Sequence, residues 1–244
     1  MEMYVCQKTH LGHKRSTNQD DMGWFSLESG ELFILTDGMG GVSGGRTAAK
    51  MTKSAIRQYI EANNLSIPIL IKESILNANK QVFAKGHSGQ KEFENMGTTV
   101  VVLFIQSNIV YWGHVGDSRL YLFRDDHLLR LTKDHSVVQD MIDSNVIEPD
   151  DAMKHPDANK LTQAVGPFET VEPSICDTSM DIKVGDIFMM CSDGLSGLIN
   201  DHQISQIIRS TKDCKDICES LVQNALGCGG HDNITVQCVY FTLE

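Results

Sequence analysis

Leu32-Phe33-Ile34-Leu35-Thr36-Asp37-Gly38-Met39-Gly40-Gly41 is an apolar run ending in Thr-Asp-Gly. It has the pattern of a buried strand that delivers a carboxylate to the end of a sheet, where glycines let the backbone turn sharply. Asp37 is thereby expected to be held rigidly and to face solvent or a ligand. The arrangement recurs where Ile187-Phe188-Met189-Met190-Cys191 leads into Ser192-Asp193-Gly194. One such turn is ordinary. Two suggest a shared site, with two unrelated turns as the alternative.

Outward from this stretch, residues 24–27 and 32–35 read as a hairpin about Glu28, Ser29 and Gly30, and residues 3–9 as an edge strand. From Gly44 the period changes: Ala48, Ala49, Met51, Thr52, Ala55, Ile56, Tyr59 and Ile60 are spaced for an amphipathic helix that Asn63 and Asn64 stop. Ser66 with Pro68 opens a second helix, which Gly86 closes. Residues 98–105, 109–112, 118–123 and 128–131 read as strands joined by short turns, which implies antiparallel pairing. Residues 136–166 break the rhythm and read as a surface subdomain or lid. Strands are expected at 174–182 and 186–191, helices at 202–209 and 213–226, and a closing strand at 234–241. The economical architecture is α+β: a four-layer α/β/β/α sandwich of two antiparallel β-sheets, each covered by a pair of helices. No Gly-, Pro- or Ser-rich linker divides residues 1–244, so one domain is expected.

Lys and Arg total 21 against 32 Asp and Glu, a net charge of −11 that disfavours nucleic acid as a partner. Part of that excess could be ligands for metal cations. The N-terminus lacks a basic segment followed by an apolar one, and no run of about eighteen apolar residues occurs. A soluble cytoplasmic protein without membrane contact is expected. Seven cysteines, an odd number without a Cys-x-x-Cys pair, read as reduced thiols rather than a disulfide framework. Cys228 and His231 have zinc-like spacing, but no second pair accompanies them.

Asp37, Asp117, Asp193 and Asp232 all fall at strand ends. Gathered at one end of a sandwich, their charges would repel at a cost of several kcal/mol unless hard divalent cations neutralised them. An all-oxygen donor set suits magnesium or manganese better than zinc. Arg15, in the polar turn that follows the first strand, offers a planar fork that suits a phosphate. Metal and arginine together point to phosphoryl chemistry, although a lone arginine is more often a solvated loop residue. His114 reads as a packed core histidine, His135 as a loop anchor, and His10, His13, His87, His127 and His202 as exposed. The glycines around Gly38 match neither a dinucleotide fingerprint nor a P-loop.

Gly12-x-x-Arg15-x-x-Asn18-Gln19-Asp20, Asp37-Gly38-Met39-Gly40-Gly41, Gly97-Thr98-Thr99, Gly116-Asp117-Ser118-Arg119, Asp134-His135-Ser136, His155-Pro156, Ser192-Asp193-Gly194-Leu195 and Asp232-Asn233-Ile234-Thr235 follow one another along the chain. In that order they resemble the metal-dependent protein phosphatases of type 2C in their compact bacterial form. The resemblance implies a serine/threonine phosphoprotein phosphatase with two core Mg2+ or Mn2+ ions and a weaker third. By it Asp37 bridges two ions, the Gly38 carbonyl binds one, Asp193 and Asp232 complete the other, and Asp20 holds water of the metal shell. Arg15 grips the substrate phosphate, Asp117 helps Asp193 hold the third ion, and residues 136–166 form the flap. Phosphorylated proteins are the implied substrates, a serine/threonine kinase the opposing partner, and a monomer the expected state.

Two positions depart from the family. Animal members place a histidine two residues after the bridging aspartate, proposed as the general acid, where this chain has Met39; water on the third ion is the expected proton source instead. Gln19 stands where many members carry a glutamate, and weaker binding of one metal is expected. The rival readings are a regulatory protein of the same fold without turnover, and another metal-dependent phosphoesterase acting on small phosphates or nucleic acid, the latter disfavoured by the acidic charge.

Overall fold

The computed structural model describes residues 1–244 apart from Asp177, Lys212 and Glu244, and gives the backbone alone for Val42, Asp150, Cys214 and Lys215. In chain order the elements are β1 (Glu2–His10), β2 (Asp20–Leu27), β3 (Gly30–Met39), α1 (Gly41–Ala62), α2 (Ile67–Gly86), β4 (Gly97–Thr98), β5 (Val100–Gln106), β6 (Ile109–Val115), β7 (Arg119–Arg124) and β8 (His127–Arg130). They continue with α3 (Val137–Asp143), β9 (Ser174–Ile175), β10 (Met180–Asp181), β11 (Ile187–Cys191), α4 (Asp193–Ser196), α5 (Asp201–Ser210), α6 (Cys214–Gly227) and β12 (Ile234–Thr242). One sheet runs β1-β12-β11-β7-β8, the other β10-β6-β5-β3-β2, with β4 on β3 and β9 on β6. Every strand pair among the described residues of the two sheets is antiparallel, as the short turns imply.

The strand period sorts side chains into three cores. Along β3, Leu32 and Ile34 pack toward α1 and α2, whereas Phe33 and Leu35 point to the opposite sheet. Strand β5 repeats this, with Val100, Val102 and Phe104 toward the helices and Val101, Leu103 and Ile105 between the sheets. In β11, Met189 and Cys191 face α5 and α6, while Phe188 and Met190 meet the side chains of β3 and β5 across the sandwich. Strands buried on both faces read as continuous apolar runs rather than alternating ones. The four-layer α/β/β/α order follows.

Two hairpins close on left-handed pairs, Ser107-Asn108 at φ 51° and 63° and Asp125-Asp126 at φ 50° and 62°. Both are polar residues that tolerate this region, and the geometry matches the twist of the flanking strands. Residues 136–166 form a closed excursion. Its neck is bridged at Ser136↔Leu161 and Thr98↔Val165. No described helix is long and apolar enough to cross a membrane.

Three expectations change. Residues 174–182 are not one strand: β9 and β10 join β6 separately, at Gly113↔Ile175 and Val110↔Met180, with five steps of chain between them against three along β6. The strand expected at 98–105 is divided at Thr99 into β4 and β5, which keep one register on β3 but differ on the other side, where Thr98 bridges Val165 and Val100 pairs with Val115. Asp193-Gly194 is not a turn but the start of α4, and Asp37-Gly38 lies within β3. A four-residue helix is too short to leave a periodic signature.

Candidate active site

Asp37 is fixed through its backbone. Its carbonyl accepts the Thr99 N–H at 2.9 Å and the Thr98 hydroxyl at 2.8 Å, and its N–H donates to Thr99 Oγ1 at 3.1 Å. Thr99 Oγ1 also meets Ser118 Oγ at 2.7 Å, which ties Asp37 to the turn that carries Asp117. Gly38 is buried, and a Cβ there would strike the Gly45 carbonyl and the Gln19 carbonyl. The first turn of α1 therefore lies directly against β3. Asp117 follows Gly116, which adopts φ +102° with Thr99 packed against its α-carbon, a conformation suited to glycine. Asp193 follows β11 and Asp232 precedes β12, and the pairing Cys191↔Val236 brings both to one end of the sheet.

A cavity of about 380 Å³ opens at that end, lined by Arg15, Asp37, Gly38, Asp117, Asp193 and Asp232. Asp20, the register partner of Asp37, is not part of that lining. Its Oδ2 accepts the Ser192 hydroxyl at 2.9 Å and the Thr235 hydroxyl at 2.6 Å, while its Oδ1 is buried without a hydrogen-bond partner. Thus all seven positions singled out in the sequence converge, six on the cavity and one beside it.

The electrostatics are those of crowded carboxylates. Burial, then the charges of Asp20, Asp193 and Asp117, holds Asp37 well above the usual carboxylate range. Burial, Asp193 and Asp134 do the same to Asp117, and burial with Asp232 raises Asp193. Asp20 is pushed up to about 6 by burial, against the lowering effect of its two hydroxyl donors. Anionic oxygens so placed are costly unless protonated or neutralised by a cation. With the orphaned Asp20 Oδ1, this donor set fits hard divalent ions such as Mg2+ or Mn2+.

Arg15 makes a forked pair with Asp232, Nε to Oδ1 at 2.8 Å and Nη2 to Oδ2 at 2.6 Å. Its side chain is 52% exposed and that of Asp232 35% exposed, so the pair contributes little and can open cheaply. The fork expected for phosphate is thus already extended over the cavity. Met39 lines the cavity, as do Asn159 and Leu161 from residues 136–166. Gln19 also lines it; its amide donates to the Gly41 carbonyl and its N–H to Asn233 Oδ1.

Several supporting residues were not singled out individually. Thr99, Ser192 and Thr235 orient the aspartates through hydroxyls. Buried Asn233 clamps the Arg15 turn by donating to the carbonyls of Leu11 and Thr17. All stand inside the quoted motifs, which was their one signal; small neutral side chains carry no charge pattern. His114 is buried as expected, with Nε2 donating to the Lys133 carbonyl at 2.7 Å. His135 anchors its loop, exchanging bonds with the Gly116 backbone. His10, expected to be exposed, is instead half-buried and accepts the Gly12 N–H, because the polar turn folds back over it.

The family model described as protein phosphatase 2C matches residues 6–227. The protein phosphatase PhpP of Streptococcus pneumoniae is 32% identical to this chain, covering 99% of both. The serine/threonine phosphatase stp of Listeria welshimeri is 31% identical, covering 96% of this chain and 94% of its own. A serine/threonine phosphatase structure from S. agalactiae superposes with a TM-score of 0.91 at 31% identity, covering 98% of this chain and 100% of that one. The catalytic domain of the phosphatase PstP, solved with 2 manganese ions, superposes with a TM-score of 0.85 at 27% identity over 99% of each chain. Motif order, sandwich topology and the convergent aspartates agree with these likenesses, and the chain belongs to the protein phosphatase 2C family.

Proposed function

We propose that this protein is a Mg2+- or Mn2+-dependent serine/threonine phosphoprotein phosphatase, one catalytic domain over residues 1–244 with residues 136–166 as its flap. The carrying observation is the meeting of Asp37, Asp117, Asp193 and Asp232 with the Arg15 fork in one cavity. Asp37, the Gly38 carbonyl, Asp193 and Asp232 would hold two ions with Asp20 behind them, and Asp117 with Asp193 a weaker third. Such ions, when bound, neutralise the carboxylates, polarise the phosphoryl group and lower the pKa of water.

The chain's own groups do the rest. Arg15 exchanges its exposed pair with Asp232 for two phosphoryl oxygens, orienting the phosphorus and stabilising charge as it develops. Thr98, Thr99 and Ser118 keep Asp37 from shifting as the charge on its neighbours changes. Met39 has no acidic proton, so the departing seryl or threonyl oxygen takes its proton from water ordered at Asp117. Asn159 and Leu161 border the cavity and present the flap to the substrate's flanking residues. Phosphorylated proteins are the substrates and a serine/threonine kinase the opposing partner. The net charge of −11 disfavours nucleic acid. A monomer in the reducing cytoplasm suits the buried thiols of Cys6, Cys218 and Cys238.

The test is phosphate release from a phosphothreonine peptide across manganese concentrations, beside nucleotide and phosphodiester substrates. Activity that requires metal, prefers the peptide and disappears in Asp193→Ala is expected. A folded wild-type protein inactive at saturating manganese would overturn the reading in favour of a regulatory protein of the same fold.

A further inference from the structure

Away from the acidic cavity, three thiols meet. Cys6 of β1, Cys218 of α6 and Cys238 of β12 place their sulfur atoms within 4.8 Å of one another, with Cys6 and Cys218 at 2.7 Å. Register causes the convergence. Cys6 and Cys238 are direct antiparallel partners, so their side chains leave the sheet on one face, and Cys218 belongs to the same core between that face and α6. The three residues are only 6%, 2% and 0% exposed. Even so, a cavity of about 350 Å³ between β1 and α6, lined by Val5, Cys6, Gln7, Lys8, Cys218 and Glu219, reaches two of the three. Donors and an entry path are both present.

The donor chemistry selects the ligand. Three sulfurs in an apolar core offer nothing to a hard cation, which takes oxygen, whereas soft thiolates favour copper(I) and zinc. Structural zinc closes a tetrahedron with four ligands, and the group among the described residues has three. We propose that Cys6, Cys218 and Cys238 form a three-coordinate sulfur site for a soft, thiophilic monovalent cation of the copper(I) type.

Charge and protons balance simply. Cys6, Cys218 and Cys238 each release a proton to solvent as their sulfur–metal bonds form, by way of the cavity that Cys6 and Cys218 border. Three thiolates around one monovalent cation leave the loaded site with a net charge of −2. Lys8, paired with Glu219 at 2.6 Å, places a positive charge at the entrance. Loading would tie the edge strand β1 and its neighbour β12 to α6.

The experiment uses the full chain, reduced and metal-free under anaerobic conditions, titrated with copper(I) against a chromophoric copper(I) chelator. One equivalent should be withdrawn from the chelator, X-ray absorption should show a sulfur-only shell of three, and Tm should rise. Cys238→Ala and Cys218→Ser should each weaken uptake by about tenfold or more, a loss of ligand exceeding that of an outer partner. The control Cys176→Ala/Cys228→Ala should bind as wild type does. Unchanged uptake in folded cluster variants would overturn the proposal. So would a wild-type shell containing nitrogen or oxygen, displacement of copper by an equivalent of zinc, or a Cys6–Cys218 disulfide forming on mild oxidation in protein that takes no copper. If the variants do not fold, the wild-type shell decides.

Discussion

At the level of single residues, the site combines charged groups with neutral side chains that aim them. Arg15 contributes little to folding, since its pair with Asp232 is exposed. A bidentate charge-assisted contact to phosphate, by contrast, is worth about 1.5–3 kcal/mol. Arg15→Ala should therefore lower kcat/KM for a phosphopeptide by about 10- to 100-fold, by that energy, with Tm nearly unchanged, and Arg15→Lys should fall between; steady-state kinetics beside a melting curve checks this. His114 makes a different prediction. Burial lowers it to about 4 from an ordinary 6.5, and as a neutral ring it donates to the Lys133 carbonyl while stacking 4.6 Å from His135. Below about pH 6.5 the unfolded chain takes up a proton that the folded one refuses. Stability is complete above that pH and drains away as pH falls toward 4, by on the order of 3 kcal/mol. His114→Gln, which keeps a donor, should flatten this acid limb in urea unfolding at several pH values; an unchanged slope would refute the assignment. The charged residues were legible in the sequence because their types and order are unusual. Thr99, Ser192 and Asn233 were not individually legible, because their value lies in which backbone or carboxylate they reach.

At the level of elements, the long apolar strands and the helices α1 and α2 were read from period alone, since burial on one or both faces writes itself into the order of residues. Strands β9 and β10 were not, because two-residue strands exist only by virtue of the edge of β6 that receives them. The junction of β3 with α1 depends on contact rather than pattern. Gly38 leaves no room for a side chain beside the Gly45 carbonyl, so Gly38→Ala must push α1 off the strand. A destabilisation of about 1–3 kcal/mol by denaturant unfolding is expected, together with weaker manganese binding, because the carbonyl assigned to the metal moves with it.

For the whole molecule, bringing carboxylates from both sheets to one end stores repulsion that cations relieve. Manganese at about 100 times its Kd should stabilise the protein by about 2.7 kcal/mol, a rise in Tm of roughly 5–10 °C. Asp193→Asn removes one of the charges pressing on Asp37 and Asp117. It should melt higher than wild type without metal, yet show little manganese shift; thermal unfolding with and without the ion tests both signs. A variant that melts lower without metal would show that the cluster is not strained.

The sequence by itself determined the layer order, the antiparallel strands and the candidate aspartates, because burial periodicity and an ordered set of motifs are properties of the linear chain. Only the tertiary structure decided that Arg15 rests on Asp232, that hydroxyls brace Asp20 and Asp37, and that Cys6, Cys218 and Cys238 meet. Those cysteines stand in three elements from opposite ends of the chain, and nothing in their spacing foretells the meeting. Strand register and the docking of α6 set the distances between their sulfurs, and both are fixed by packing among residues far apart in sequence.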